Sequence, residues 1–107
     1  MRTDGIAQEI DLCATEAANF LKALSHEGRL KILCNLCTGE KSVTELETLL
    51  CARQAAVSQQ LSRLRADGMV HARREGKAVY YSIADQRVQR TIDLMYDMFC
   101  KTENKEG

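Results

Sequence analysis

Apolar positions step by three and four along most of the chain, and the phase of that stepping divides it into helices. From Asp4 to Leu24 the stripe is Ile6, Ile10, Cys13, Ala17, Leu21 and Leu24, which predicts a long amphipathic helix. Ser25 can cap a second helix whose stripe is Leu30, Leu33, Cys34 and Cys37, and Thr38–Lys41 reads as a turn. Ser42 and Glu45 then stand three apart at the head of an apolar run, Val43, Leu46 and Leu50, which is the signature of a capping box. Cys51-Ala52-Arg53 breaks the rhythm. A fourth helix from Gln54 turns Val57, Leu61 and Leu64 inward and stops at Gly68, where a glycine just past a helix can take the left-handed conformation. Beyond Gly68 the pattern changes: Met69–Arg74 and Ala78–Ile83 read as two strands around a turn at Glu75-Gly76-Lys77. Asp85 can cap a last helix with Val88, Ile92, Met95 and Phe99 in line, flanked by Leu94 and Met98, before a charged tail, Lys101–Gly107.

The face of the fourth helix opposite Val57, Leu61 and Leu64 carries Ala55, Ser58, Gln59 and Ser62. Small side chains let a helix sit deep in a major groove, where Gln can bond two edges of adenine and Ser can serve several bases. Two short helices with such a second member make a helix-turn-helix, although an ordinary helical hairpin with a solvated polar face fits the same pattern. The hairpin that follows favours the first reading. It is basic at its tip and stands where a wing would touch phosphates or the neighbouring minor groove. The fold class expected is mainly α with a small β-hairpin: a winged helix-turn-helix of four helices, two strands and a closing helix, forming one domain over residues 1–107.

Net charge is zero, which on its own argues against a polyanionic partner, but the distribution is uneven. Residues 53–77 hold Arg53, Arg63, Arg65, Arg73, Arg74 and Lys77 against only Asp67 and Glu75. A basic block on a neutral chain suits a DNA face joined to a differently purposed remainder. The expected DNA-facing set is Arg53, Gln54, Ala55, Ser58, Gln59, Ser62 and Arg63 on the helix, with Arg73, Arg74 and Lys77 on the wing. No apolar run approaches the ~20 residues of a membrane helix, and the opening MRTDGIAQEIDL has early acids and no signal-like apolar core, so a cytoplasmic location is expected. The last helix offers more apolar surface than a terminal helix of one small domain would bury. A self-complementary patch implies a two-fold dimer, which a single reader helix also needs for sequence specificity.

Five cysteines, Cys13, Cys34, Cys37, Cys51 and Cys100, are not structural disulfides in a reducing compartment. Cys34 and Cys37 spell C-x-x-C, but late in a helix, where the dipole raises a thiol pKa, and no second C-x-x-C completes a zinc site. Cys37 and Cys13 are expected to behave as small buried hydrophobes.

LKALSHEGRLKIL, SVTELE and VSQQLSRLRADGMVHARREGKAVYYSI together resemble the ArsR/SmtB family of winged-helix repressors, from about Ala17 to Cys100. The resemblance implies a homodimer through the first and last helices, bound to imperfect palindromes in promoter DNA and released by an inducer. Arg53 departs from the family, where a Ser often caps the reader helix; losing that cap costs ~1 kcal/mol, and an Arg there can meet a phosphate instead. Many relatives sense metals. The Asp/His site on the last helix is not matched, since Asp93 and Asp97 are present but the only histidines are His26 and His71. A thiolate site near the reader would have only Cys51 and Cys13, too few for four-coordinate metal. No metal and no cofactor are therefore expected.

ILC ending at Cys34 and MFC ending at Cys100 resemble the two cysteines of the persulfide-sensing subgroup, the SqrR, BigR and HlyU type. That resemblance implies a repressor that binds promoter DNA when reduced and lets go when persulfide or polysulfide links Cys34 to Cys100 through a di- to tetrasulfide bridge. Two other functions stay open at this point. One is an arsenite- or metal-responsive repressor of the same family; the other, from a different class, is a small thiol oxidoreductase. The operator, the target genes, the length of the sulfur bridge and the roles of Cys13, Cys37 and Cys51 are not readable from the sequence.

Overall fold

The computed structural model describes residues 2–101, with side chains described from 6 to 100. The helices are α1 (Arg2–Leu24), α2 (Glu27–Leu36), α3 (Val43–Leu50), α4 (Gln54–Ala66) and α5 (Gln86–Tyr96), the last running into a π-helical turn, Asp97–Lys101. The strands are β1 (Lys41–Ser42), β2 (Val70–Glu75) and β3 (Ala78–Ile83). The charged tail past Lys101 lies outside the described residues.

The core is one apolar cluster in which α2, α3, α4 and the base of the wing meet. Ile32, Leu33 and Leu36 from α2, Leu46 from α3, and Val57, Leu61 and Leu64 from α4 are all sealed, with Met69, Val70, Val88 and Ile92 closing the far side. Ala23 and Leu24 bring only the end of α1 into it. The inward face expected of α4 is thus the buried one, whereas on α2 the phase is shifted. Ile32 and Leu36 join Leu33 in the core, Leu30 and Cys37 are half-buried, and Cys34 is exposed. Cys13, expected to be buried, is also exposed. α1 does not wrap the core closely enough to cover it.

Local capping follows the sequence at three of four helix starts. Ser42 Oγ accepts from the Glu45 amide at 3.1 Å while Glu45 Oε1 accepts from the Ser42 amide at 2.8 Å, so two orphan donors are satisfied reciprocally. Asp85 caps α5 by accepting from the Arg87 amide at 2.9 Å. Arg53 precedes α4 and gives no side-chain cap, as its chemistry requires. The exception is α2. Its cap is His26, whose Nδ1 accepts from the amides of Gly28 at 3.0 Å and Arg29 at 3.4 Å. A Cβ at Gly28 would meet that imidazole at 3.0 Å, a tight contact that the ring would have to shift to relieve. Ser25 instead closes α1, its hydroxyl donating to the Lys22 carbonyl.

The hairpin is larger than two strands. β1 pairs with β3 at Lys41–Tyr81 and Ser42–Tyr80, so the sheet is three-stranded and antiparallel in the order β1-β3-β2. Glu75 pairs with Ala78, which leaves a two-residue tip, Gly76-Lys77, with Gly76 at φ +63. Between α3 and α4, Cys51 takes the left-handed position at φ 51 that glycine usually fills, and this sharp exit sets the angle of the two helices.

Leu61 sits at the centre of the core with no exposed surface. Leu61→Ala is expected to cost ~2–5 kcal/mol, read as a lower urea midpoint with an unchanged slope.

Candidate nucleic-acid interface and thiol site

Sealing Val57, Leu61 and Leu64 inside forces the opposite side of α4 outward. Gln54, Ala55, Gln59 and Ser62 are exposed and Ser58 is half-exposed, and Arg53 and Arg63 flank them at either end. The capped α3 precedes this helix and the left-handed Cys51 turn joins the two. Arg63 has a loose partner in Asp67, at 3.9 Å. Arg53, Arg65, Arg74 and Lys77 are exposed and have no carboxylate partner among the described residues.

Arg73 is different. Its Nε and Nη2 donate to the two carboxylate oxygens of Glu40 at 3.0 and 2.8 Å, and Nη1 donates to Glu75 at 2.9 Å. The guanidinium also lies over the Tyr80 ring, 4.8 Å from its centroid. The hydrogen bonds from Arg73 hold the Glu40 carboxyl below its ordinary pKa. Glu40 and its partnership with Arg73 have no local sequence signal, because 33 residues separate them.

Between them α2 and α5 form a groove of about 570 Å³ lined by Leu30, Cys34, Cys37, Met95, Phe99 and Cys100 among others. Cys34 comes from the last turn of α2 and Cys100 from the π-helical turn, whose i→i+5 bonding spends an extra residue per turn and which nothing in the sequence announces. Both thiols are free and exposed. Partial desolvation by the groove walls, together with the charge of Cys100, raises the pKa of Cys34 even though the residue is exposed overall. Burial pushes the Cys37 thiol up to about 11, helped by Cys34 and by the Asp93 carboxylate. Cys13 and Cys51 do not line this groove.

A buried helical core with a polar reader face, followed by a basic wing, defines a winged helix-turn-helix DNA-binding protein. Residues 26–72 match the family described as "Bacterial regulatory protein, arsR family". The chain is 47% identical to a biofilm growth-associated repressor of Agrobacterium fabrum over 90 residues, 84% of this chain and 77% of that protein. Among solved structures, the transcriptional repressor BigR from Xylella fastidiosa is similar with a TM-score of 0.85 and 38% identity, over 88% of this chain and 96% of that one. Reduced HlyU from Vibrio cholerae gives 0.82 and 40%, over 87% of this chain and 98% of that one. The chain belongs to the ArsR family of bacterial transcriptional regulators. It is a DNA-binding regulator, not an enzyme.

With a pKa of about 11, Cys37 is almost wholly protonated at neutral pH, and its alkylation should accelerate tenfold per pH unit until the pH nears that value. Asp93→Asn removes a charge that opposes the thiolate, so it should lower the Cys37 pKa and speed its reaction at a given pH. Site-resolved mass spectrometry of iodoacetamide-treated protein checks both; an unchanged rate in Asp93→Asn would remove Asp93 from the causes and leave burial and Cys34.

Proposed function

We propose that the protein is a cytoplasmic, homodimeric repressor that binds promoter DNA when reduced and releases it when reactive sulfur links Cys34 to Cys100. The observation that supports this most directly is the shared groove: two cysteines 66 positions apart in sequence line one pocket, and the charge of one raises the pKa of the other. The names of the relatives, repressors among them, support the DNA half of the reading.

Dimerisation rests on where apolar surface is left uncovered. Ile6, Ile10, Leu12 and Leu21 on α1, and Leu94, Tyr96, Met98 and Phe99 on α5 and its π-helical turn, are exposed, while among the described residues only Leu49 is a large exposed hydrophobe elsewhere. Burying such area is worth roughly 25 cal/mol per Å², so these two helices gain most from a second copy. The dimer would present two α4 helices to successive half-sites. Ser58 and Gln59 would read bases with Gln54, Ala55 and Ser62 against the groove floor, and Arg53, Arg63, Arg74 and Lys77 would meet phosphates.

In the switch, a thiolate of Cys34 or Cys100 attacks the outer sulfur of an organic persulfide, RSSH, and RS⁻ leaves, so the protein thiol becomes a persulfide. The other thiolate then attacks the cysteine-bound sulfur of that persulfide and expels HS⁻, closing a disulfide. If the second cysteine already carries an extra sulfur, its terminal sulfur makes the same attack and a trisulfide remains; each further sulfur transferred lengthens the bridge by one. A bridge from α2 to the end of α5 would tie the helix packed behind α4 to the dimer-forming helix. Differential stability of ~1–3 kcal/mol between linked and DNA-bound forms would suffice for release.

Gln59→Ala should cost ~1–3 kcal/mol on specific DNA and relax sequence preference, whereas Arg74→Ala should weaken all DNA alike and flatten the salt slope by about one unit. Gel shifts across a salt series measure both, and unchanged specific binding by Gln59→Ala would move the reader face elsewhere. Cys34→Ser and Cys100→Ser should each bind DNA normally and ignore persulfide, while Cys37→Ser and Cys13→Ser stay responsive. Parallel shifts with persulfide, peroxide and arsenite separate the sulfur reading from its alternatives: release by arsenite alone, or a mass-spectrometric bridge joining Cys34 to Cys37, would overturn it.

A further inference from the structure

Arg73 stands in the basic block and on the wing, yet its surroundings are those of a structural tie. The strand order β1-β3-β2 puts Glu40, just before β1, and Arg73, in β2, toward opposite edges of the sheet. Their two-pronged ion pair therefore spans the sheet, over the Tyr80 ring of the middle strand. Arg–carboxylate forks of this kind are planar and specify an orientation as well as an attraction. β1 is only two residues long, so backbone pairing alone ties that corner weakly; the Glu40–Arg73 fork adds a second tie at the same place. Glu75, at the last strand pair before the tip, holds the third edge of the guanidinium.

We propose that Arg73 is a positioning residue, which with Glu40 sets the pitch of the wing so that Arg74 and Lys77 reach DNA, and does not itself hold a phosphate. The inference rests on the DNA-binding reading above. Two carboxylates and one guanidinium leave the cluster with a net negative charge, so it repels phosphate as it stands. To bind a phosphate, Arg73 would have to release a two-pronged partner that it already holds at 2.8 Å.

The two roles differ in sign at Glu40. By electrostatics alone, removing a carboxylate near the wing should tighten binding to a polyanion. If Glu40 is a brace, removing it should loosen binding.

The test uses the full chain and a fluorescent duplex that the wild-type protein selects from a randomised pool, with affinity followed over a salt series for Glu40→Gln, Arg73→Gln and the double variant. Circular dichroism confirms that each is folded. Both single variants should bind about fivefold more weakly, and the double variant no more weakly than either, because one interaction is lost in all three. The salt slope should stay at the wild-type value, whereas Arg74→Gln, the phosphate control, lowers it by about one. Equal or tighter binding by Glu40→Gln, or a slope reduced by Arg73→Gln and additive losses in the double variant, would overturn the brace while leaving DNA binding intact. If the wild-type chain selects no duplex at all, the DNA-binding reading itself fails, and the brace with it.

Discussion

The burial of Val57, Leu61 and Leu64 against α2 and α3 is the contact on which the rest depends. These side chains keep at most 2% of their surface, so turning α4 about its own axis would expose them. A rotation of one residue, about 100°, would bring a polar or charged side chain into the core, where an unpaired polar group costs ~1–3 kcal/mol. The same seam that stabilises the domain therefore aims Ser58 and Gln59. The capping box at Ser42–Glu45 and the left-handed Cys51 serve that seam by fixing where α3 begins and how the chain leaves it.

What could be read from the sequence is what is local. The capping box, the Asp85 cap, the stop at Gly68 and the inward face of α4 each depend on residues within a turn of one another, and each stands in the structure as the pattern implies. The features that escaped are longer-range or conformational. β1 exists only because Tyr80 and Tyr81 offer it an edge, some forty positions away, and two residues carry no period to detect. His26, not Ser25, is the cap, through a ring nitrogen that a rule scoring hydroxyls and carboxylates does not count. Counting its cysteines as core shifts the apparent phase of α2, because Ile32, Leu33 and Leu36 are the residues that face inward. Cys34 lies instead on the rim facing α5. The proposed link between Cys34 and Cys100 has no spacing rule behind it and rests on resemblance and on the groove the two share.

Charge counting does not see pairing. The sequence holds six cations between residues 53 and 77, and one of them, Arg73, is paired within the chain with Glu40 and Glu75. Glu40 lies outside that block, so no window over it could have included the partner. The available cations are those at the two ends of the reader helix and at the wing tip, with a gap between them. On the proposed reading, that arrangement suits a helix in a groove between two backbone strands.

The same turn that carries Glu40 also ends the helix that carries the thiols. Cys37 follows α2 directly; Thr38 and Gly39 fold back on it, and the Lys41 ammonium reaches the carbonyls of Asn35 and Gly39 at 3.2 and 3.1 Å. A cation there opposes the negative end of the helix dipole and ties the turn to the helix. Glu40 is thus three residues from Cys37 by the chain and one ion pair from the wing. On the proposed reading, a sulfur bridge that pulls the end of α2 toward α5 need not act through the core to be felt at the DNA. The core is close-packed and resists graded deformation, whereas the turn and the exposed fork can shift without exposing apolar surface. The wing is then the softer of the two routes from thiol to DNA, and α4, locked by its apolar seam, is the stiffer.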